Sequence, residues 1–385
     1  MPKILCVETS SRCNLDCEMC PRKSFHSAGR IMDDATFRKV LAVFETVPVE
    51  YAYLTGYGEP LLDKDIFARA EAIHKISPST GIGFTTNGLL LNRENIARII
   101  SSCLSGITIS LDAGTRETYA AIRGRDAFVT VMQNLRQLSE ERGNKALSVN
   151  AVITRKNLAE MEEIVLRCLE LSIPTLNFSP MCIYSTADQL KLFVERSLIT
   201  AEYLRLREKY EQRILLTAWN LDNEKKYGNC WGEIPEMLEI DCDGNVYPCC
   251  VHRSQAPRYS PDGRREDGFV RLGSVNDDSF DAIAGSPALQ ELLDAFENGD
   301  IPAQCANCFL ARAFSKKELI RDNALMQREL DDARLIFSQE KQRLTTKLGE
   351  TAKALNDIRH SRSWACTRPL RAVAGLLRGL RGVNR

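Results

Sequence analysis

Hydrophobic residues in the first half of the chain follow two alternating rhythms. Short apolar runs at 4–7, 51–54, 82–85, 106–111, 147–153 and 175–178 are separated by stretches in which apolar positions recur every three or four residues. Buried strands give the first rhythm and amphipathic helices the second, so the pattern to about residue 180 predicts repeated βα units on a parallel sheet. The helix after the first run is the clearest: Asp33 or Asp34 caps it, and Phe37, Val40, Leu41 and Phe44 make one buried face. Asn92 opens another helix, with Ile96, Ile99 and Ile100 on its apolar side. Six units are too few to close an eight-stranded barrel. The expected architecture is therefore α/β, an open, partial (β/α)6 TIM-like barrel with its site at the C-terminal ends of the strands.

Further along, the rhythm changes. A polar helical stretch runs from about 188 to 211, and the segment Asp241-Cys242-Asp243-Gly244-Asn245-Val246-Tyr247-Pro248-Cys249-Cys250 reads as a hairpin turning at Asp243-Gly244. From 315 to 359 there is no proline, and Leu319, Met326, Leu330, Ala333, Phe337, Leu344, Leu348, Leu355 and Ile358 recur at spacings of three, four or seven. That predicts one long helix and a candidate coiled-coil seam for self-association, although Glu340 and Thr351 interrupt the seam. After Asp357 come seven arginines and no acidic residue. Leu370, Val373, Leu377 and Leu380 share a helical face there, beside Arg371, Arg378 and Arg381, the pattern of a helix lying on an anionic membrane surface; a disordered basic tail is the alternative. The expected organisation is a barrel at 1–185, a helical linker at 186–225, a small α+β domain at 226–312, the long helix at 313–360 and the basic tail at 361–385.

With 385 residues and 44% hydrophobic content the chain can bury the cores of two or three domains. Zero net charge and only four histidines give no sign of a nucleic-acid partner. The run at 4–7 is too short for a signal-peptide core or a membrane span, so the expected setting is cytoplasmic, peripheral to the inner face of the membrane if the tail binds it. In that setting the fourteen cysteines are reduced thiols and metal ligands.

Three of them carry the chemistry. In Glu8-Thr9-Ser10-Ser11-Arg12-Cys13-Asn14-Leu15-Asp16-Cys17-Glu18-Met19-Cys20-Pro21, Cys13, Cys17 and Cys20 stand with three and then two residues between them. Thiolates select zinc or iron-sulfur clusters, and a closed site of either kind takes four ligands. Three leave one metal position open. A zinc knuckle would pair C-x-x-C units or finish with histidine, and only His26 lies near. The loop resembles the C-x-x-x-C-x-x-C loop of the radical S-adenosylmethionine (radical SAM) superfamily, with Met19 where an aromatic is common. That resemblance implies a 4Fe-4S cluster whose open iron binds S-adenosylmethionine, and it orders the later motifs. Thr55-Gly56-Tyr57-Gly58-Glu59-Pro60 is similar to the glycine-rich motif that receives the cofactor's amino group. Asn87 after the third strand, and Ser110 and Asp112 after the fourth, would then meet its ribose and carboxylate. Arg123 and Asn150 occupy further contact positions, whereas Met181 reads as packing. Helix capping by Ser110 and Asp112, and a solvated helix-end cation for Arg123, are the bland alternatives.

A second set comprises Cys230, Cys242, Cys249, Cys250, Cys305 and Cys308. Cys230, Cys249, Cys305 and Cys308 would make a four-thiolate site. Their layout resembles the twitch domain, the short form of the SPASM domain, which carries one auxiliary 4Fe-4S cluster; structural zinc is the alternative. Cys242 and Cys250 can each replace Cys249 or serve as buried thiols. Cys6, Cys103, Cys168 and Cys182 read as core residues. The resemblance implies an oxidoreductase: a 5'-deoxyadenosyl radical abstracts hydrogen from substrate, the auxiliary cluster takes the second electron, and a flavodoxin or ferredoxin supplies the first. Twitch-domain relatives include alcohol-oxidising dehydrogenases. Ser361-Arg362-Ser363-Trp364 and Thr367-Arg368-Pro369-Leu370-Arg371 are similar to a segment of bacterial cell-surface polysaccharide glycosyltransferases. Together these tilt the expected substrate to a sugar or polyol. A peptide maturase and a non-catalytic iron-sulfur or zinc assembly module are the other two readings, and no general base is identifiable.

Overall fold

The computed structural model describes residues 2–24, 29–181, 191–218, 236–253 and 269–298, with short pieces at 258–259 and 265–266 and single positions at 300, 302, 305, 342, 346, 349, 350, 353 and 357. His26, Cys182, Cys230, Cys308, most of the expected long helix and the whole basic tail lie outside the described residues. The chain divides into two compact units, Met1–Met326 and Gln327–Arg385. In the second, the six described positions are all helical.

The first unit begins with the anticipated alternation. Strand β1 (Ile4–Val7) is followed by helix α1 (Asp34–Thr46), β2 (Tyr51–Tyr53), α2 (Ile66–Ile76), β3 (Gly81–Thr86), α3 (Arg93–Ser101) and β4 (Gly106–Ser110). Two helices, α4 (Arg116–Arg123) and α5 (Phe128–Glu141), then precede β5 (Ala146–Ile153), α6 (Met161–Glu170) and β6 (Thr175–Pro180). Neighbouring strands from β1 to β6 pair in parallel. Their central residues are apolar and sealed, among them Leu5, Ala52, Ile82, Ile109, Val149 and Leu176, because helices cover the sheet.

Local chemistry explains the helix starts. The Asp33 carboxylate accepts from the Thr36 N–H at 2.7 Å, so Asp33 rather than Asp34 caps α1. Asn92 does the same for α3 at 2.9 Å. The carboxylate of Asp33 is held below its ordinary range by the Thr36 backbone N–H. Asp33→Ala is expected to cost about 1 kcal/mol, read as a lower denaturation midpoint with an unchanged slope.

Beyond β6 the polar stretch forms α7 (Arg196–Tyr210), and β7 (Leu215–Ala218) then pairs in parallel with β6. This seventh strand falls within the stretch expected to be a helical linker. The hairpin also appears, as β8 (Met237–Ile240) and β9 (Asn245–Tyr247), with the Gly244 N–H donating to the Asp241 carbonyl across the turn. Its strands do not stand apart. β8 pairs in parallel with β1, Ile4 opposite Met237, and so continues the barrel sheet. After the short antiparallel pair β10 (Arg258–Tyr259) and β11 (Arg265–Glu266), β12 (Gly273–Ser274) pairs with β9. Helices α8 (Phe280–Ala284) and α9 (Pro287–Glu297) follow. Among the described residues the main sheet thus has ten strands in the order β12-β9-β8-β1-β2-β3-β4-β5-β6-β7, open at both ends.

Candidate radical SAM site

The cysteine loop leaves the C-terminal end of β1, and the structure gathers most of the expected residues around it. Cys13, Cys17, Cys20, Gly56, Gly58, Glu59, Asn87, Ser110, Arg123 and Asn150 all line one cavity of about 300 Å³. A volume of that order suits a small-molecule ligand. Asp112 is the exception: it is fully buried behind the cavity wall.

The glycine-rich loop approaches protein before it approaches ligand. A Cβ on Gly58 would fall 2.0 Å from the Ser10 carbonyl oxygen, and one on Gly56 would fall 2.4 Å from the Glu8 carboxylate. Both glycines are therefore required for the loop to lie against the segment that carries the cysteines, and the pair presents its backbone to the cavity from there. Glu59 secures the arrangement. Its N–H donates to the Arg12 carbonyl at 2.6 Å, and its buried carboxylate accepts from the Leu61 N–H, the Thr86 hydroxyl and the Asn87 N–H. Burial pushes the Glu59 carboxyl upward and those bonds oppose it.

Polar side chains reach two of the thiols. Asn87 Nδ2 lies 3.9 Å from Cys13 Sγ and donates to Asn14 Oδ1 at 2.7 Å, while Arg123 Nη1 lies 3.7 Å from Cys17 Sγ. Arg123 ends α4, whose last turn packs on the loop: the Glu18 N–H donates to the Ile122 carbonyl. Gly124 caps that helix in the left-handed region at φ 68°, where a Cβ would also meet the Asp16 carbonyl at 2.5 Å. Arg123 is not a solvated cation. It forms a 2.7 Å ion pair with Asp112, the two side chains being 7% and 1% exposed. Burial works against the guanidinium's charge, but Asp112 and Cys17 outweigh it and leave the group more basic than usual. Asp112 also accepts from the Val152 N–H at 2.8 Å. Ser110 and Asp112, expected side by side at the ligand, are thus divided between cavity and support.

Asn150 is oriented by a ladder across three strands. Its Oδ1 accepts from Asn177 Nδ2 at 2.6 Å and from the Ser179 hydroxyl at 2.7 Å, and Asn177 Oδ1 accepts from the Thr217 hydroxyl. The Asn150 amide nitrogen is left to donate to a ligand. Met181 lines the cavity while packing with Leu192 and Phe193, and Met19 packs on the same cluster.

The donor set fits a three-thiolate cluster with a polar cofactor beside it. Burial pushes the Cys17 thiol upward, with the Arg123 guanidinium opposing it, and burial pushes Cys20 up to about 11. Among the described residues no three His, Cys, Asp or Glu side chains converge on a single ion, and the three thiols share a cavity wall instead.

Of the second set, Cys242, Cys249, Cys250 and Cys305 are among the described residues. Cys249 and Cys305 are buried at 3% and 2% exposure, and His252 joins them: its N–H donates to the Cys249 carbonyl, and its Nε2 lies 3.5 Å from Cys305 Sγ. Arg253 reaches the other way, to Glu8 at 2.6 Å. Glu8 in turn accepts from the Tyr57 N–H in the glycine-rich loop, and the Tyr57 hydroxyl donates to the Cys250 carbonyl. Cys242 is a buried thiol 3.7 Å from Glu8. Sequence reasoning missed Glu8, His252 and Arg253, which have no motif of their own.

Comparison with known proteins agrees with this geometry. Residues 7–168 match the radical SAM superfamily, and residues 230–309 match an iron-sulfur cluster-binding domain, SPASM. The mycofactocin maturase of Mycobacterium tuberculosis is 28% identical over 162 residues, 42% of this chain but only 40% of the relative's own length. A cofactor-modifying protein for a tungsten-containing aldehyde ferredoxin oxidoreductase, from Pyrococcus furiosus, is 27% identical over 81% of this chain and 88% of its own. Among solved structures, Streptococcus suis SuiB bound to its precursor peptide SuiA has a TM-score of 0.60 at 17% identity, covering 81% of this chain and 70% of SuiB. The native enzyme anSMEcpe with bound S-adenosylmethionine gives the same TM-score at 17% identity, over 80% of this chain and 88% of its own. The second cysteine set falls within the matched iron-sulfur domain, and the two matched domains together imply 4Fe-4S clusters. Residues 7–168 belong to the radical SAM superfamily, and a match to a SPASM-type iron-sulfur cluster-binding domain follows at residues 230–309.

Proposed function

We propose that the protein is a radical SAM oxidoreductase that removes hydrogen from a precursor molecule and passes the second electron to an auxiliary cluster. The observation that carries this reading is the single cavity at the strand ends, where three thiols, a glycine-rich loop and the side chains of Asn87, Ser110 and Asn150 share one wall. When bound there, the cluster and S-adenosylmethionine supply a 5'-deoxyadenosyl radical for hydrogen abstraction. Cys13, Cys17 and Cys20 would hold the iron. The Gly56 and Gly58 backbone would orient the cofactor's amino end, Asn150 would donate to it, and Asp112 would act through Arg123. Leu15, Met19, Val152 and Met181 line the cavity with apolar surface that keeps water from a reactive intermediate. Cys230, Cys249, Cys305 and Cys308 would hold the auxiliary cluster, and a flavodoxin or ferredoxin would supply the first electron.

For the substrate, the aligned maturases favour a precursor peptide. The sugar or polyol reading rests on the alcohol-oxidising twitch-domain relatives and on the tail, which lies outside the described residues. Anaerobically reconstituted protein is expected to carry about eight irons per chain and to form 5'-deoxyadenosine with dithionite. Absence of 5'-deoxyadenosine from protein carrying both clusters would leave only the assembly-module reading. Transfer of deuterium from a labelled peptide, against a labelled polyol, into 5'-deoxyadenosine decides the substrate class.

A further inference from the structure

We propose that His252 is a positioning residue for the second cysteine site, its imidazole N–H donating to the Cys305 sulfur and raising the reduction potential of the cluster held there. This rests on the two-cluster reading above and deepens it. His252 is 1% exposed, and its Nε2 stands 3.5 Å from Cys305 Sγ. Its backbone is fixed on both sides: the N–H donates to the Cys249 carbonyl at 3.1 Å, and the carbonyl accepts from the Val270 N–H at 3.3 Å. The next residue is locked as well, because Arg253 pairs with Glu8 at 2.6 Å. One 3-10 turn, Cys250–Arg253, therefore follows a thiol at Cys249 and aims a ring at the thiol of Cys305, which is 53 residues away in the chain.

The chemistry follows from charge. A cluster gains negative charge on reduction, and its ligand sulfurs carry part of it. An N–H aimed at one of those sulfurs stabilises the reduced state more than the oxidised state, so the potential rises. The neutral imidazole has one N–H to give, and burial keeps water from replacing it. A higher potential is what an electron acceptor for a substrate radical needs. Cys249 and Cys305 are soft, buried donors that suit the cluster, and His252 connects the two.

The test uses the full chain, reconstituted anaerobically, as wild type, His252→Leu and His252→Gln. Redox titration followed by electron paramagnetic resonance reads the second cluster separately from the first. His252→Leu is expected to shift the ratio of oxidised to reduced second cluster about tenfold toward oxidised at a fixed potential, about 59 mV for one electron, with the first cluster unmoved. His252→Gln, which keeps an N–H, should restore the ratio to within about twofold of wild type. An unchanged ratio in His252→Leu with both clusters present overturns the proposal. Loss of half the iron from both variants also overturns it, by making His252 a ligand or a structural prop. If only the leucine variant loses iron, the glutamine variant decides: a ratio near wild type supports the donor, and a tenfold shift refutes it. Wild-type protein with four irons and a zinc would instead overturn the two-cluster reading itself.

Discussion

Replacing Cys13, Cys17 and Cys20 together by alanine is expected to remove about half the iron and to reduce 5'-deoxyadenosine formation to background, while the fold persists. The loss should be complete because the thiols converge on the cavity in which the glycine-rich loop and Asn150 are also arranged. The fold should persist because none of the three thiols is part of the sealed core. All three are only partly buried, and the loop is fastened to its surroundings by backbone bonds, such as the Glu59 N–H to the Arg12 carbonyl and the Glu18 N–H to the Ile122 carbonyl. Replacing Cys305 and Cys308 by alanine should give the opposite phenotype: cofactor cleavage continues and net substrate oxidation stops. Iron content, circular dichroism and product analysis on the two variants separate these outcomes. Residual 5'-deoxyadenosine from the triple variant would show that the opening cysteines do not hold the radical-generating cluster.

Arg253→Met is expected to destabilise the protein by about 3–5 kcal/mol, visible as a large fall in the denaturation midpoint. The reason is what it leaves behind. Arg253 and Glu8 form an ion pair at 3% and 1% exposure, and the guanidinium also lies 3.8 Å from Glu239 and 5.1 Å from the centre of the Tyr57 ring. Without it, the Glu8 charge is buried with the Tyr57 N–H and the weak Cys242 thiol as its remaining partners among the described residues. Glu239 is already pushed up to about 7 by burial, with Arg253 opposing, and would lose that opposition. Adding Glu8→Gln to Arg253→Met should recover most of the loss, since it removes the stranded charge. A double variant as unstable as the single would show that Arg253 contributes by packing instead.

The barrel was legible because parallel strands buried on both faces read as apolar runs and their helices keep a 3.6-residue period. Helix caps at Asp33 and Asn92 were legible for a similar reason, since capping is local. β7 was missed because its four residues, Leu215–Ala218, directly follow a long helix and sit at a sheet edge, with Leu215 60% exposed. The pairing of β8 with β1 could not be read at all, because register between distant segments leaves no periodic trace. At the site, the cysteines and glycines announced themselves by spacing. The split between Ser110 and Asp112 did not, because alternation along a strand says nothing of which carboxylate an arginine from the next helix will claim. Glu8, His252 and Arg253 were hidden for a plainer reason: residues of these types usually face water, and only the fold shows that all three are buried.

The pairing of Ile4 with Met237 also governs how the chain can be made. During translation β1 emerges well before the strand that covers its outer edge, which is encoded more than two hundred residues later. At about 5–20 residues per second, that interval is on the order of ten to fifty seconds. Throughout it the nascent chain carries an unpaired edge beside the cysteine loop, a template for intermolecular strand pairing. Cluster insertion and chaperone binding would therefore meet the same exposed strand in the same window, and the order in which they act becomes a property of synthesis rather than of the finished enzyme.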